Sequence, residues 1–205
     1  GKMMKKMFLL FVSLTVIFAA VYAYGESADE WKNKGKKHLE AEEYDEAHEC
    51  FNKAIEIDPN HSMSLFYRGT LLLTAGRFDD AISDFSRVIA LDPGLAPTYY
   101  FRGLAYAQKK EYNKAIDDFT SSIKIDPNVA RVYYYRAVAY MKINDNGKAL
   151  TDLDAAIKNK PDFGHAYYAR AKVYYDMGKQ DKSVEDLIIA CELGIPDACK
   201  KIKTR

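Results

Sequence analysis

Residues 99–127 read YYFRGLAYAQKKEYNKAIDDFTSSIKIDP, and the arrangement of large, small and apolar residues in this stretch recurs along the chain. The proline that ends it belongs to a series spaced by 34 residues, namely Pro59, Pro93, Pro127 and Pro161. A fixed period of this length is typical of proteins that stack copies of one supersecondary unit. The sequence therefore predicts a repeat protein.

Aligning the copies on their prolines reveals four further columns of similar residues. They are a large residue at Trp31, Leu65, Tyr99, Tyr133 and Tyr167; a small residue at Gly35, Gly69, Gly103, Ala137 and Ala171; a second small residue at Ala47, Ala81, Ala115, Ala149 and Ser183; and a bulky residue at Phe51, Phe85, Phe119, Leu153 and Leu187. Apolar residues also recur at spacings of three and four, as in Phe85, Val88 and Ile89. This periodicity predicts amphipathic helices.

Each column suggests a packing role. The Gly/Ala column predicts a close approach of two helices, and we expect the second small column to face it. Gly76 and Gly178 stand where a first helix turns into a second, which favours a left-handed C-cap. Asn60, Asn128 and Asp162 follow the prolines and are expected to be N-caps of the next helices.

These columns resemble the tetratricopeptide repeat family, and the third copy shows the pattern best, with Tyr99, Gly103, Tyr106, Ala115, Phe119 and Pro127. The resemblance covers five repeats over residues 28–195. It implies an all-α fold, a right-handed α-solenoid of helix-turn-helix units with a concave groove. Ile195 replaces the last expected proline and Pro196 follows it, so we expect residues 196–205 to form a short capping helix and a basic tail.

Residues 1–25 resemble a secretory signal peptide. Lysines precede an apolar run from Phe8 to Tyr24, and small residues near its end suit cleavage after Ala23 or, as second choice, after Gly25. The alternative is an uncleaved membrane anchor, for which the run is short. Either reading predicts a periplasmic or secreted protein, with membrane attachment as the alternative.

The composition argues against several classes of function. Without Lys2, Lys5 and Lys6 the chain has 27 basic and 29 acidic residues, which is unlike a nucleic-acid binder. Glycine-rich phosphate loops, nucleophile motifs and paired metal-ligand histidines are absent from the sequence. We therefore expect a protein that is not an enzyme, has no cofactor or metal, and binds a protein or peptide.

Two charged columns are spaced sixteen residues apart. The arginines are Arg68, Arg102, Arg136 and Arg170, and the aspartates are Asp84, Asp118, Asp152 and Asp186. They could form a row of charges for a ligand. Their strict pairing favours ion pairs within each repeat, which fix geometry more than they add net stability.

The chain has three cysteines, Cys50, Cys191 and Cys199. The segment from Ala190 to Gly194, with Ala198 and Cys199, resembles the helix junction of cysteine-rich Sel1-like repeat proteins. That resemblance implies a Cys191–Cys199 disulfide that holds the cap. The alternative is two buried free thiols. Cys50 would remain unpaired and packed.

The resemblance also implies which first-helix residues line the groove. They are Lys32, Phe66, Tyr100, Tyr134 and Tyr168 in one column, Tyr67, Phe101 and Tyr135 in the next, and Leu104, Val138 and Lys172 one turn further on. An aromatic groove suits an apolar peptide, although the rings could simply pack between adjacent first helices. Lys32 matches the family's carboxylate clamp, but Lys36, Tyr67, Pro97 and Phe101 do not, which argues against that ligand.

Two functions remain open. The first is a non-enzymatic interaction scaffold that binds a partner in the groove. The second is a membrane-tethered structural or assembly subunit of a cell-envelope complex.

Overall fold

A computed structural model describes residues 26–203, and the signal or anchor predicted for residues 1–25 lies outside them. Eleven helices and no strands occur in the described part. The chain divides between Ser64 and Leu65 into two compact units. The helices are α1 (Ala28–Glu40), α2 (Tyr44–Ile57), α3 (Ser62–Thr74), α4 (Phe78–Leu91), α5 (Ala96–Gln108), α6 (Tyr112–Ile125), α7 (Ala130–Lys142), α8 (Asn146–Asn159), α9 (Gly164–Asp176), α10 (Gln180–Glu192) and α11 (Pro196–Lys203).

Consecutive helices pair into hairpins, and each hairpin turns at one left-handed residue. The five turns lie 34 residues apart, with positive φ at Glu42, Gly76, Lys110, Asn144 and Gly178. The N–H of the following residue donates across the turn, as from Glu111 to the Tyr106 carbonyl at 2.9 Å. This is the Schellman arrangement that satisfies the last carbonyls of a helix. The predicted turns at Gly76 and Gly178 are confirmed.

The predicted N-caps at Asn60, Asn128 and Asp162 are wrong. In the first three copies the aspartate before the proline accepts a hydrogen bond from the N–H two residues later, as Asp126 Oδ1 does from Asn128 at 3.1 Å. Lys160 precedes Pro161 instead, and there the Gly164 N–H donates to the Asp162 carbonyl at 3.0 Å. The next helix therefore begins beyond this turn, and the apolar residues Leu95, Val129 and Phe163 occupy the cap position without a side-chain cap bond. Among the first helices of the repeats whose N-cap is described, only α1 has a capping box, which is formed by Ser27 and Glu30.

The hairpins are held together by a close contact between the first small column and the bulky column. A Cβ atom placed on Gly103 would lie 2.8 Å from a ring carbon of Phe119, and Gly35 and Gly69 meet Phe51 and Phe85 at 2.6 and 2.8 Å. The nearest side chain is thus the phenylalanine, not the second small column that we expected to face the glycine. The alanines of that column are fully buried nearby, as at Ala115.

Repeats four and five use a different pair at the same spacing. Ala137 stands where Gly103 would be and Leu153 where Phe119 would be, and both are fully buried in one cluster. Ala171 and Leu187 repeat the substitution in another cluster. A methyl group on the first helix is therefore accompanied by a smaller side chain on the second.

Helix α11 covers the last hairpin. Its Ala198 is fully buried with Ala171, Leu187 and Ala190. Ala198 also lies 34 residues after Gly164, so α11 keeps the repeat register and corresponds to the start of a sixth first helix. Cys191 of α10 and Cys199 of α11 form a disulfide, with their Cα atoms 4.8 Å apart, while Cys50 is a buried free thiol.

The glycine–phenylalanine contact predicts that substitutions at Gly103 and Phe119 have non-additive effects on the free energy of unfolding, which urea denaturation measures. Gly103→Ala should lower the free energy of unfolding by about 1–3 kcal/mol, because the new methyl group overpacks the Phe119 ring. Gly103→Ala combined with Phe119→Leu recreates the Ala137–Leu153 pair, so the double variant should be less destabilised than the two single effects together predict.

The matched control is Gly147→Ala. Gly147 is also helical, but its new Cβ would meet only an Asp145 carboxylate oxygen at 3.8 Å. This variant should be unchanged or stabilised by up to about 1 kcal/mol. Strict additivity of the Gly103 and Phe119 effects would contradict the contact as the determinant of hairpin spacing.

The disulfide predicts how many thiols react. Denatured but unreduced protein treated with iodoacetamide should gain one adduct, on Cys50, and reduced protein should gain three, as read by intact mass. Cys50→Ala should gain none before reduction, whereas Cys199→Ser should gain two, since Cys191 is released. Three adducts on the unreduced wild type would show that the bond does not form.

Candidate functional site

Five rings on the first helices of repeats two to four form a continuous series that we call the aromatic ladder: Phe66, Phe101, Tyr100, Tyr135 and Tyr134. Ring centroids are 5.6 Å apart between Phe66 and Phe101, 5.1 Å between Phe101 and Tyr100, 5.8 Å between Tyr100 and Tyr135, and 5.2 Å between Tyr135 and Tyr134. Each step is within the range of aromatic pairing. The ladder therefore links three consecutive first helices.

The ladder rests on the bulky residues of the hairpin cores. Phe101 stacks on Phe85 at 6.1 Å, and Tyr135 stacks on Phe119 at 6.4 Å. All five ladder residues are nevertheless only half-buried. The rings thus pack between adjacent first helices and keep part of their surface accessible, so the two interpretations of the sequence describe the same residues.

The other predicted groove residues differ in their surroundings. Tyr67 contacts Phe66 at 5.8 Å, while Leu104 and Val138 are half-buried one turn along their helices. Tyr168 is also half-buried, and Lys172 is exposed. Lys32 belongs to the first compact unit, where it forms a salt bridge to Asp29 at 2.5 Å.

The surroundings of Tyr100 and Tyr134 favour the neutral form of their hydroxyl groups. Burial and the neighbouring Tyr135 raise the pKa of Tyr100 to about 12, against a smaller opposing effect of Arg131. Burial also raises the pKa of Tyr134. At physiological pH the ladder therefore presents apolar ring surface with hydroxyls that can donate or accept.

The predicted arginine and aspartate columns meet in every repeat from the second to the fifth. Arg102 Nε and Nη2 donate to the two carboxylate oxygens of Asp118 at 2.8 and 2.7 Å. The pairs Arg68–Asp84, Arg136–Asp152 and Arg170–Asp186 have the same two-point geometry. The aspartates are buried, and the paired oxygens are occupied.

Three of these arginines also reach back to the preceding repeat, which sequence reasoning missed. Nη1 of Arg102 donates to Ser86 Oγ at 3.0 Å, Nη1 of Arg136 to Thr120 Oγ1 at 3.0 Å, and Nη1 of Arg170 to Asp154 Oδ1 at 2.6 Å. These acceptors lie sixteen residues before each arginine, a spacing that could have revealed them. Their identity varies between copies, so they do not form a recognisable column.

Burial and pairing oppose each other at these sites. Burial raises the pKa of Asp118, and the hydrogen bonds from Arg102 only partly offset it. Asp118 in turn raises the pKa of Arg102. Such a pair orients helices more than it adds net stability, and the Nε and Nη2 donors of Arg102 are already bonded to Asp118.

The described residues contain few other candidates for chemistry. Residues 26–203 include no group of three or more His, Cys, Asp or Glu side chains arranged to hold a metal ion. None of the helices in that range combines the length and apolar character needed to cross a bilayer.

Comparison with known proteins identifies the repeats. Models of the tetratricopeptide repeat match residues 28–61 and 96–129, residues 50–83, and residues 134–191. No curated protein sequence matches the chain.

Solved structures share the helical-hairpin array. A crystal structure of MamA is 28% identical with a TM-score of 0.74, over 78% of this chain and 93% of that one. MamA 41-end from Desulfovibrio magneticus RS-1 is 20% identical with a TM-score of 0.77, over 82% and 96% of the two chains. YrrB, described as a TPR protein with an unusual peptide-binding site, is 17% identical with a TM-score of 0.76, over 91% and 97%. The last two establish the fold alone. On its repeat matches and its array of hairpins, this chain belongs to the tetratricopeptide repeat family.

Proposed function

We propose that the chain is a non-enzymatic protein–protein interaction scaffold, which holds an apolar or aromatic segment of a partner against the aromatic ladder. The observation that carries the proposal is the half-exposed state of five rings that are already fixed by their neighbours. These rings lose their conformational entropy when the protein folds, so a ligand that contacts them restricts the side chains little further.

The comparisons support a binding role at the level of the family. Tetratricopeptide repeat proteins bind peptides or proteins, and YrrB is described as having a peptide-binding site. The arginine and aspartate columns are occupied by each other, which leaves the first-helix surface as the better candidate. Neutral tyrosine hydroxyls around apolar rings suit a peptide whose backbone can accept or donate hydrogen bonds.

We further propose that the protein acts outside the cytoplasm, as a periplasmic or secreted protein. The signal-like residues 1–25 and the Cys191–Cys199 disulfide both support this location, because disulfides persist in oxidising compartments. The alternative is a membrane-tethered structural or assembly subunit of an envelope complex, which the apolar run from Phe8 to Tyr24 favours if it is retained.

The groove prediction is best tested at Leu104 and Val138. Tyr100 and Tyr135 pack on Phe119, so truncating them would also weaken the core. The column of Leu104 and Val138 carries Lys172 in repeat five, so lysine is compatible with the fold at this position. Leu104→Lys with Val138→Lys should leave the helical circular dichroism intact and reduce partner binding at least about tenfold, since an ammonium would have to be buried under the ligand.

The measurement is quantitative affinity capture from the native envelope fraction with wild-type and variant bait. Ile125→Lys is the matched control, because Ile125 is 42% exposed and ends a second helix. A partner retained by the wild type and by Ile125→Lys, but lost from the double variant, supports the ladder. Equal retention by all three proteins would place the binding surface elsewhere.

The location is tested by sequencing the N-terminus of the protein recovered from cells. A first residue at Tyr24 or Glu26 is expected, with the protein in the soluble exported fraction. An intact N-terminus in the membrane fraction would instead support the tethered subunit and contradict cleavage.

A further inference from the structure

An open pocket of about 480 Å³ lies between repeat five, Met141 of repeat four and Lys201 of helix α11. Met141 and Leu187 contribute apolar walls, while Lys172 and Lys201 contribute ammonium groups. Lys172 belongs to the groove column, and Lys201 is on α11. The pocket therefore differs in chemistry from the aromatic ladder.

Two lysines and one aspartate, Lys172, Lys201 and Asp176, line the pocket, so positive charge is in excess there. The Lys172 and Lys201 nitrogens lie 4.2 and 5.8 Å from the centre of the Tyr168 ring. Although Lys172 as a whole residue is exposed, partial desolvation of its ammonium lowers its pKa, and repulsion from Lys201 and Lys142 lowers it further, with Asp197 opposing. An added anion would relieve this repulsion.

Lys172 contrasts with other lysines in the same chain. Lys109, Lys114 and Lys148 form salt bridges at 2.5, 2.6 and 2.8 Å. Within residues 26–203, Lys172 has no salt bridge, although Asp176 also lines the pocket. Lys172 is thus a cation beside a cavity that contacts the Tyr168 ring, with Lys201 and Lys142 as like charges and Asp176 and Asp197 as opposite charges nearby.

We infer that this pocket binds the carboxylate of an aspartate or glutamate side chain in the partner segment whose apolar residues lie on the aromatic ladder. The inference rests on the proposed function and adds the chemistry of one end of the ligand. Two ammonium groups can donate to one carboxylate, and Met141 and Leu187 can contact the methylene groups that carry it. The cavity is larger than a carboxylate alone, which suits a side chain together with its apolar neighbour.

The test is selection of random peptides displayed as fusions through their C-termini, so that no free terminal carboxylate is present. Purified wild-type protein should enrich peptides that combine apolar or aromatic residues with aspartate or glutamate. An enriched peptide should lose about tenfold or more in affinity for the Lys172→Gln, Lys201→Gln variant, which is the size expected for a charged hydrogen bond. The same peptide with its acidic residue changed to the amide should bind both proteins equally.

The matched control is Lys124→Gln with Lys158→Gln, which removes two exposed charges from second helices and should bind like the wild type. Enrichment of apolar peptides without an acidic residue would overturn this inference and leave the proposed function intact. An affinity loss that persists with the amide peptide would also overturn it. If the wild-type protein enriches no peptide at all, both the proposed function and this inference fail.

Discussion

The contact between a glycine on the first helix and a phenylalanine ring on the second sets the distance within a hairpin. Because Gly103 has no side chain, the Phe119 ring lies where a Cβ would be, and the two backbones approach closely. The arginine next to that glycine then reaches the aspartate next to that phenylalanine, again sixteen residues later. The same arginine also contacts Ser86 of the preceding repeat. One close contact thus positions the polar bonds that join helix to helix and repeat to repeat.

The same contact explains why the inner surface is aromatic and ordered. Phe85 and Phe119 fill the hairpin interiors, so Phe101 and Tyr135 stack on top of them and cannot sink further. Their outer parts remain accessible, while their rotamers are restricted by rings on several sides. A surface of this kind can bind an apolar segment at small entropic cost. The aromatic ladder is therefore a direct consequence of how the hairpin core is built.

The 34-residue period is enough to predict the hairpins, because glycine and proline at constant spacing act through local backbone preferences. The predicted helix starts are wrong, because the turn after Pro127 is closed by a hydrogen bond from the Asn128 N–H to the Asp126 side chain. The helix then begins at Ala130, beyond Asn128. The residues that contact a repeated column are harder to infer from the sequence than the column itself. The glycine faces a ring and not the alanine, and the acceptors of the arginines vary as Ser86, Thr120 and Asp154.

The change in core chemistry and the change in surface chemistry occur in the same part of the chain. Where Ala137–Leu153 replaces a glycine–phenylalanine pair, the ring beneath the surface is gone, and Tyr134 packs instead on Phe163 at 5.2 Å. In repeat five the second groove column is Ala169, so the ladder has no further ring to join. The next aromatic residue, Tyr168, meets the ammonium groups of Lys172 and Lys201. The first-helix surface therefore changes from apolar rings to a ring beside two ammonium groups where the stacked phenylalanines end, and under the proposed function this change would give a bound segment a direction.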